Sequence, residues 1–212
     1  MSVRGKLASA LGRNDERPNV ELAEALAKQA HASASVVAKV NELVALLSTG
    51  TSTEKSDAIK VLAELGGGQP ELITAHAGAF LALLKSTNNR LVWGAMQALD
   101  AVAQQDPDAI YAALPDILGA ADKGSVIAKD KAMSILAQLA SVGHAKQALP
   151  IFLDRLETSA PNQLPMYAEF GGVVMDEANA PRFIKILEAR RLKLSPAKRA
   201  RVEKVLRKLA KR

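Results

Sequence analysis

The chain has 212 residues, 49% of them hydrophobic and only 3% aromatic, so it can bury a continuous core of small and medium aliphatic side chains. It contains no Cys, which excludes disulfides and thiolate zinc sites. Residues 1–13 lack the apolar run of a secretory signal, and no stretch approaches the roughly 18 apolar residues of a membrane span. We therefore expect a cytoplasmic protein with no membrane span.

The net charge of +6 is unevenly distributed along the chain. Residues 190–212 hold eleven Lys or Arg and a single acid, Glu203, which gives this segment a charge of +10. The remaining residues carry −4, from 17 basic and 21 acidic side chains. The basic character therefore belongs to the end of the chain and not to its body.

A helical pattern of apolar residues recurs with an offset of 37 residues. In each copy the residues fall at i, i+4 and i+7, which places them on one face of an α-helix. No stretch alternates with period two for long enough to predict a strand, so we expect an all-α fold. The residues expected to be buried at equivalent positions are Ala58, Leu62, Leu65, Ala95, Leu99, Val102, Ala132, Leu136 and Leu139.

Breakers rich in Gly, Pro, Asn and Ser divide the chain into helix pairs. Residues 1–18 are interpreted as an N-terminal extension, and 19–212 as a single repeat domain that ends in a basic capping helix at 195–212. An incomplete helix near 19–30 opens this domain. The predicted pairs are 34–66, 70–105, 107–142, 146–177 and 180–210.

The same register predicts where helices begin and end. Pro70 aligns with Pro107, and Pro suits a first helical position because the N–H there has no intrahelical partner. Gln69 and Asp106 then occupy the N-cap positions, for which Asp is the better residue. The glycine run 66–68 is typical of a helix end, because neither a preceding strand nor a following Gly-Lys-Ser/Thr indicates a phosphate loop.

One segment carries a family resemblance. A Leu-Pro motif at 114–118, a polar turn at 122–125 and an Ala- and Leu-rich helix at 132–139 resemble the HEAT-repeat (armadillo-like) family. A second match, without the proline, covers 80–102, and the resemblance extends over nearly the whole chain. It implies an α-α superhelix of about five antiparallel helix pairs, whose second helices line a concave binding face. Trp93 departs from the family pattern, which often has a basic residue there.

Residues with catalytic chemistry are scattered. His31, His76 and His144 lie in different units without metal-ligand spacing, so a structural role is favoured for each. Asp176 and Glu177 are adjacent, and adjacent helical residues do not face each other as a catalytic pair would. DNA glycosylases of HEAT-like architecture gather aromatic side chains around a flipped base, whereas the aromatics here are spread out. We therefore predict no enzyme activity, no cofactor and no metal site.

The exposed side of the second helices is predicted to be small, polar and nearly neutral. A nucleic-acid channel needs a basic stripe that matches phosphates, and this side lacks one. The pattern favours a protein or peptide groove, or a face without a binding role. The residues predicted on this side are Lys60, Glu64, Gln97, Ala101, Ser134 and Gln138.

The segment 88–93 is the first of three candidate binding regions. Asn89, Arg90 and Trp93 could form an interface hot spot, because Trp and Arg dominate interface energetics. The structural interpretation is a turn between helices, with an Asn cap at Asn88 and a Trp packed over the neighbouring turn.

The segment 165–172 is the second candidate region. Its two consecutive glycines, 171 and 172, each cost a helix roughly 1 kcal/mol relative to Ala. Close helix packing would compensate for this cost. The alternative is a kink that opens a pocket near Tyr167 and Phe170.

The third candidate region is the basic end of the chain. Ser195 is predicted to cap a helix that Pro196 begins, with an apolar stripe at Val202, Val205, Leu206 and Leu209. A solubilising end cap and a site for an anionic partner, such as nucleic acid or an acidic protein, both remain open. The candidate contact residues are Lys204, Arg207, Lys208 and Lys211.

The function predicted from the sequence is a non-catalytic scaffold or adaptor that binds another protein through the solenoid surface. The alternative is a nucleic-acid-associated protein that uses the basic C-terminal helix.

Overall fold

The computed structural model describes residues 2–29 and 33–211. These residues form helical segments that are separated by short breaks. Within these ranges the structure contains α-helices and short helical turns but no strand, which confirms the predicted all-α fold. None of the helices in this part of the chain is both long and apolar enough to cross a bilayer. The chain divides into two units, Met1–Ala128 and Lys129–Arg212.

Many of the helix ends lie at the predicted breakers, but residues 70–76, predicted to open a helix, form short helical turns before the helix at Ala77–Leu83. The division between the units lies in the first turn of α8. The helices of unit 1 are α1 (Arg17–Ala27), α2 (Ala34–Thr49), α3 (Ser52–Gly68), α4 (Ala77–Leu83), α5 (Asn89–Val102), α6 (Pro107–Ala112) and α7 (Leu114–Lys123). Those that follow are α8 (Val126–Leu139), α9 (Ala145–Thr158), α10 (Leu164–Val174), α11 (Ala180–Arg191) and α12 (Pro196–Leu209).

The repeating apolar stripe forms the core, as predicted. All nine of its residues, three each on α3, α5 and α8, are no more than 1% exposed. Burial of these side chains supplies most of the stabilisation, because removing apolar surface from water is worth about 25 cal/mol per Å². The 37-residue offset therefore marks structurally equivalent positions.

The N-terminal residues pack into unit 1. Leu7 and Ala8 are buried, and the Ala8 N–H donates to Oδ1 of Asn19 at 3.0 Å. The Ser9 N–H donates to Oδ2 of Asp57 on α3 at 2.8 Å. These contacts attach the first residues to α1 and α3, while the proposed boundary at residue 18 stays a prediction.

The helix caps agree with the sequence in part. Asp106 accepts a hydrogen bond from the Ala109 N–H at 3.3 Å, which confirms it as the N-cap of α6. Gln69 lies at the predicted N-cap position, before the helical turn at Pro70–Leu72, but its side chain makes no capping bond and its Nε2 donates to the Ala27 carbonyl at 2.8 Å. Ser195 occupies the N-cap position of α12 but makes no capping hydrogen bond with its side chain. The glycines at 66–68 end α3, as predicted.

Arginine side chains close two helix ends in unit 2. Arg190 donates to the carbonyls of Leu156 and Ser159 at the end of α9, and burial lowers its pKa below the ordinary value. Arg199 donates to the carbonyls of Arg191 and Leu192 at the end of α11, at 3.3 and 3.1 Å. Both guanidinium groups satisfy carbonyls that have no partner within their own helix.

A sharp turn joins α8 to α9. Helical geometry is lost at Val142, with φ −122° and ψ 32°, and at Gly143, with φ 109°. A positive φ of this size is one that glycine adopts without the steric penalty of a Cβ.

Helix α10 packs closely against its neighbours at its two glycines. A Cβ at Gly171 would come within 2.6 Å of Cε2 of Phe183 and 2.8 Å of Cε1 of Phe152. A Cβ at Gly172 would lie 2.6 Å from Cγ1 of Val205 on α12. The close-packing interpretation is confirmed, and α10 remains helical through both glycines.

Candidate functional site

The start of α5 is built as the sequence predicts. The side chain of Asn88 accepts a hydrogen bond from the Arg90 N–H at 3.0 Å, which caps the helix. Asn89 and Arg90 are exposed, and Trp93 is half-buried one turn further on. Within residues 2–29 and 33–211, the Arg90 guanidinium has no ion-pair partner. The turn-and-cap interpretation therefore holds, and it leaves Arg90 and one side of Trp93 accessible.

A cavity of about 320 Å³ lies beside Trp93 within unit 1. Gly94, one of its lining residues, lets α5 pack closely against α3, because a Cβ there would come within 2.6 Å of Cγ1 of Ile59. We call this cavity and its rim the Trp93 groove. Its lining residues are Glu16, Asn19, Ser56, Asp57, Ile59, Lys60, Ala63, Arg90, Trp93, Gly94, Gln97 and Ile127.

The charges on the α3 side of the groove are matched to one another. Lys60 Nζ lies 2.8 Å from Glu64 Oε1 and 3.2 Å from Glu16 Oε2. Partial burial lowers the pKa of Lys60, but its hydrogen bonds to Glu64 and Glu16 outweigh burial and raise the pKa overall. Asp57 accepts hydrogen bonds from Nδ2 of Asn19 at 2.7 Å and from the Ser9 N–H. The groove therefore offers a nearly neutral polar wall opposite an aromatic face.

The residues predicted on the exposed side of the second helices are all partly accessible. This holds on α3, α5 and α8, the three helices that share the 37-residue register. These residues are Lys60, Glu64, Gln97, Ala101, Ser134 and Gln138.

Tyr167 lies in the core of unit 2. It is 2% exposed, and its hydroxyl donates to Oδ1 of Asp130 at 2.7 Å. Gln163 Nε2 donates to the same oxygen at 2.6 Å. Burial and then the hydrogen bond to Asp130 raise the pKa of Tyr167 far above its usual value. This side chain is engaged inside the protein, whereas Phe170, stacked on it at 6.5 Å, is partly exposed.

Helix α12 is amphipathic, as predicted. Val202 is fully buried and Val205 is 7% exposed, while Leu206 and Leu209 are partly exposed. The candidate contact residues lie on the opposite side and are exposed; they are Lys204, Arg207, Lys208 and Lys211.

The scattered acids and histidines have local roles. In the part of the chain that the structure describes, no three His, Cys, Asp or Glu side chains come together as metal ligands would. Asp176 accepts a hydrogen bond from the Asn179 N–H at 2.8 Å, in the turn before α11. His76 and His144 are partly exposed on separate turns, and His31 lies outside the described residues.

Comparison with known proteins identifies the fold. No protein-family model and no curated protein matches the sequence. An engineered protein is similar with a TM-score of 0.62 and 18% identity, over 98% of both chains. A designed armadillo repeat protein in complex with the peptide (KR)4 has a TM-score of 0.65 and 14% identity, over 91% of both chains. A computationally designed armadillo repeat protein for modular peptide recognition has a TM-score of 0.62 and 13% identity, over 91% of this chain and 92% of its own.

These likenesses define the class of protein. The chain is an armadillo/HEAT-like helical-repeat solenoid, as its resemblance to the HEAT family implies. Solenoids of this kind are typically non-catalytic and present extended surfaces for binding.

Proposed function

We propose that this chain is a cytoplasmic, non-catalytic scaffold or adaptor that holds a segment of a partner protein in the Trp93 groove. The single observation that carries the proposal is a half-buried Trp93 beside a cavity of about 320 Å³, with the unpaired Arg90 at its rim. Trp and Arg are the residues most enriched in binding hot spots, above all where a pocket is already formed.

The chemistry of the groove supports a peptide segment as its occupant. Lys60 is balanced by two carboxylates, so the α3 wall offers hydrogen-bonding groups without an unpaired cation for phosphate. Gln97 adds an amide that can donate to a carbonyl and accept from an N–H. The designed neighbours bind peptides on the same fold, and this also supports the proposal.

Peptide selection followed by affinity measurement tests the proposal. Peptides selected from a random displayed library against the full chain are labelled, and their affinity is measured by fluorescence anisotropy. Trp93→Ala should weaken binding by about 2 kcal/mol or more, and Arg90→Ala by about 1 kcal/mol. Because Trp93 is the sole Trp, its intrinsic emission should also shift when a peptide binds.

Two controls separate binding from folding. Leu11→Ala changes a residue that is 54% exposed and outside the groove, so it should leave peptide affinity unchanged. Trp93→Phe keeps an aromatic ring and should retain part of the affinity, while the melting temperature reports any general damage. Selected peptides that bind Trp93→Ala as tightly as the unmodified chain would contradict the proposal.

A further inference from the structure

Four cations at the end of the chain have no hydrogen-bond or ion-pair partner within the described residues. Lys204, Arg207 and Lys208 span an arc of about 100° on α12, given 3.6 residues per turn, and Lys211 follows in the turn after the helix. The neighbouring basic side chains differ, because each is already engaged: Arg201 with Glu169, Arg191 with Glu203, Lys198 with Asn162, and Arg199 with helix carbonyls.

An apolar strip on α10 lies beside these cations. Val173 is 74% exposed, and Met166 and Phe170, at helical spacing from it, are partly exposed. Glu169, adjacent to Phe170 on α10, pairs with Arg201 on α12, and this ion pair brings the two helices together next to the strip. We call the apolar strip and these cations together the α10–α12 surface, and both belong to unit 2.

The Glu169 carboxylate on α10 is stabilised by basic side chains of α12. Its two oxygens accept hydrogen bonds from Nε and Nη2 of Arg201, at 2.9 and 2.7 Å. The bond to Arg201 lowers the pKa of Glu169, and the charges of Lys204 and Lys208 lower it further. The positive charges of Lys204 and Lys208 therefore favour a carboxylate at the edge of α10 that carries Glu169. The carboxylates of a bound segment would lie along this edge.

We infer that the α10–α12 surface is a second docking site, which takes an acidic segment of a partner protein whose carboxylates alternate with apolar side chains. Its cations match the carboxylates, and the strip of Met166, Phe170 and Val173 matches the apolar residues. A nucleic-acid backbone would use the cations but would leave the aliphatic Met166 and Val173 without a partner. This site is separate from the Trp93 groove and goes beyond the proposed function.

Labelled synthetic probes test the inference on the full chain. One peptide carries Glu with Leu at helical spacing, and a second has the same Glu residues with Ser in place of Leu. A mixed-sequence oligonucleotide and vesicles of phosphatidylserine and phosphatidylcholine are the other probes. The Leu peptide should bind about tenfold more tightly than the Ser peptide, because only it covers the apolar strip.

Matched variants locate the site. Lys204→Glu with Lys208→Glu should weaken the Leu peptide at least about tenfold, and Val173→Ser should weaken it about three- to tenfold. Lys85→Glu with Lys146→Glu changes the net charge equally at other exposed positions, and Val37→Ser changes an exposed valine elsewhere; neither should affect binding. Trp93→Ala should also leave this peptide bound.

Three results would overturn the inference. The first is an oligonucleotide, a vesicle or the Ser peptide that binds as tightly as the Leu peptide. The second is a Val173→Ser variant with unchanged affinity for the Leu peptide. The third is an equal loss of affinity for the Leu peptide in the control variant that carries Lys85→Glu and Lys146→Glu. Apart from Trp93, all the changed side chains are exposed, so unchanged melting temperatures and circular dichroism should confirm that these variants are folded.

Discussion

Helix α5 of unit 1 and helix α10 of unit 2 each approach a neighbour at glycine, but the surroundings of the glycines differ. Gly94 lies at the rim of the Trp93 groove, where it brings α5 against Ile59 and leaves a cavity beside it. Gly171 lies between the rings of Phe152 and Phe183, both fully buried. Glycine therefore permits close helix packing in both units, beside a cavity in unit 1 and between two buried rings in unit 2.

The charged side chains differ in a parallel way. In unit 1, Lys60 beside the Trp93 groove is paired with Glu16 and Glu64, and Arg4 is paired with Glu54. In unit 2 the last helix keeps a group of unmatched cations on one side. This difference distinguishes Lys60, which is held by two carboxylates, from the cations near the end of α12.

The largest expected effect concerns what the units share, the buried leucine of the repeat. Leu99→Ala in unit 1 and Leu136→Ala in unit 2 should each lower the free energy of unfolding by about 2–5 kcal/mol, because both side chains are 0% exposed and leave cavities. Urea unfolding measures the loss, with Leu192→Ala, 65% exposed, as the control. A loss below about 1 kcal/mol at either position would show that Leu99 and Leu136 do not contribute equally to the core.

The glycines provide the next contrast. Changing both Gly171 and Gly172 to Ala should destabilise the protein by about 1–3 kcal/mol, because each new Cβ would overlap a packed side chain. Gly119→Ala on α7 is the control, since a Cβ there meets nothing within 4 Å; it should stabilise by about 0.4–1 kcal/mol. Thermal unfolding distinguishes the cases, and a raised melting temperature in the double variant would show that the glycines have no packing role.

A smaller effect should separate the paired lysine from an unpaired one. Lys60→Gln removes two ion pairs and should cost about 0.2–1 kcal/mol. Lys204→Gln removes none within the described residues and should leave the free energy of unfolding unchanged within about 0.5 kcal/mol. Equal losses in urea unfolding at low salt would contradict the proposed difference in charge matching.

The smallest expected effect is a pH dependence in unit 1. A hydrogen bond from Arg4, followed by one from the Thr51 N–H, lowers the pKa of Glu54 from 4.5 to about 2. Its stabilising contribution is therefore complete above pH 4.5 and is lost as the pH falls towards 2. Glu54→Gln should be less stable at neutral pH but lose less stability between these pH values. Parallel acid-dependent slopes for the two proteins would show that Glu54 is not the group responsible.

The repeat and its core could be predicted because they depend on local spacing. The positions of Leu62, Leu99 and Leu136 follow from the helical period and the 37-residue offset alone. The N-cap position of Gln69 follows from the same register, but the bond of its side chain to the Ala27 carbonyl could not be predicted, because no local pattern links the two residues.

The sites depend on contacts between distant residues and could be predicted only in part. Trp93 was identified by its residue type, but its groove also needs Glu16 and Ile127, which no local pattern links to it. The adjacent Gly94 was a signal for close helix approach that the sequence reasoning did not use. The burial of Tyr167 also had a signal, since its partner Asp130 precedes it by 37 residues, one repeat.

The turn at Gly143 has a consequence for how the sequence can change. A Cβ there would meet no atom within 4 Å, yet the φ of 109° would strain any other residue by roughly 1–3 kcal/mol. The contacts of Gly143 therefore do not reveal the restriction on its backbone angle. Side-chain volume alone would suggest that the position tolerates larger residues. In a complete mutational scan of this turn we expect the exposed neighbours Ser141 and Lys146 to accept many residues. Gly143 is also exposed, but it should accept almost no residue other than Asn. The φ angle of this one residue therefore restricts how the sequence of the turn can change.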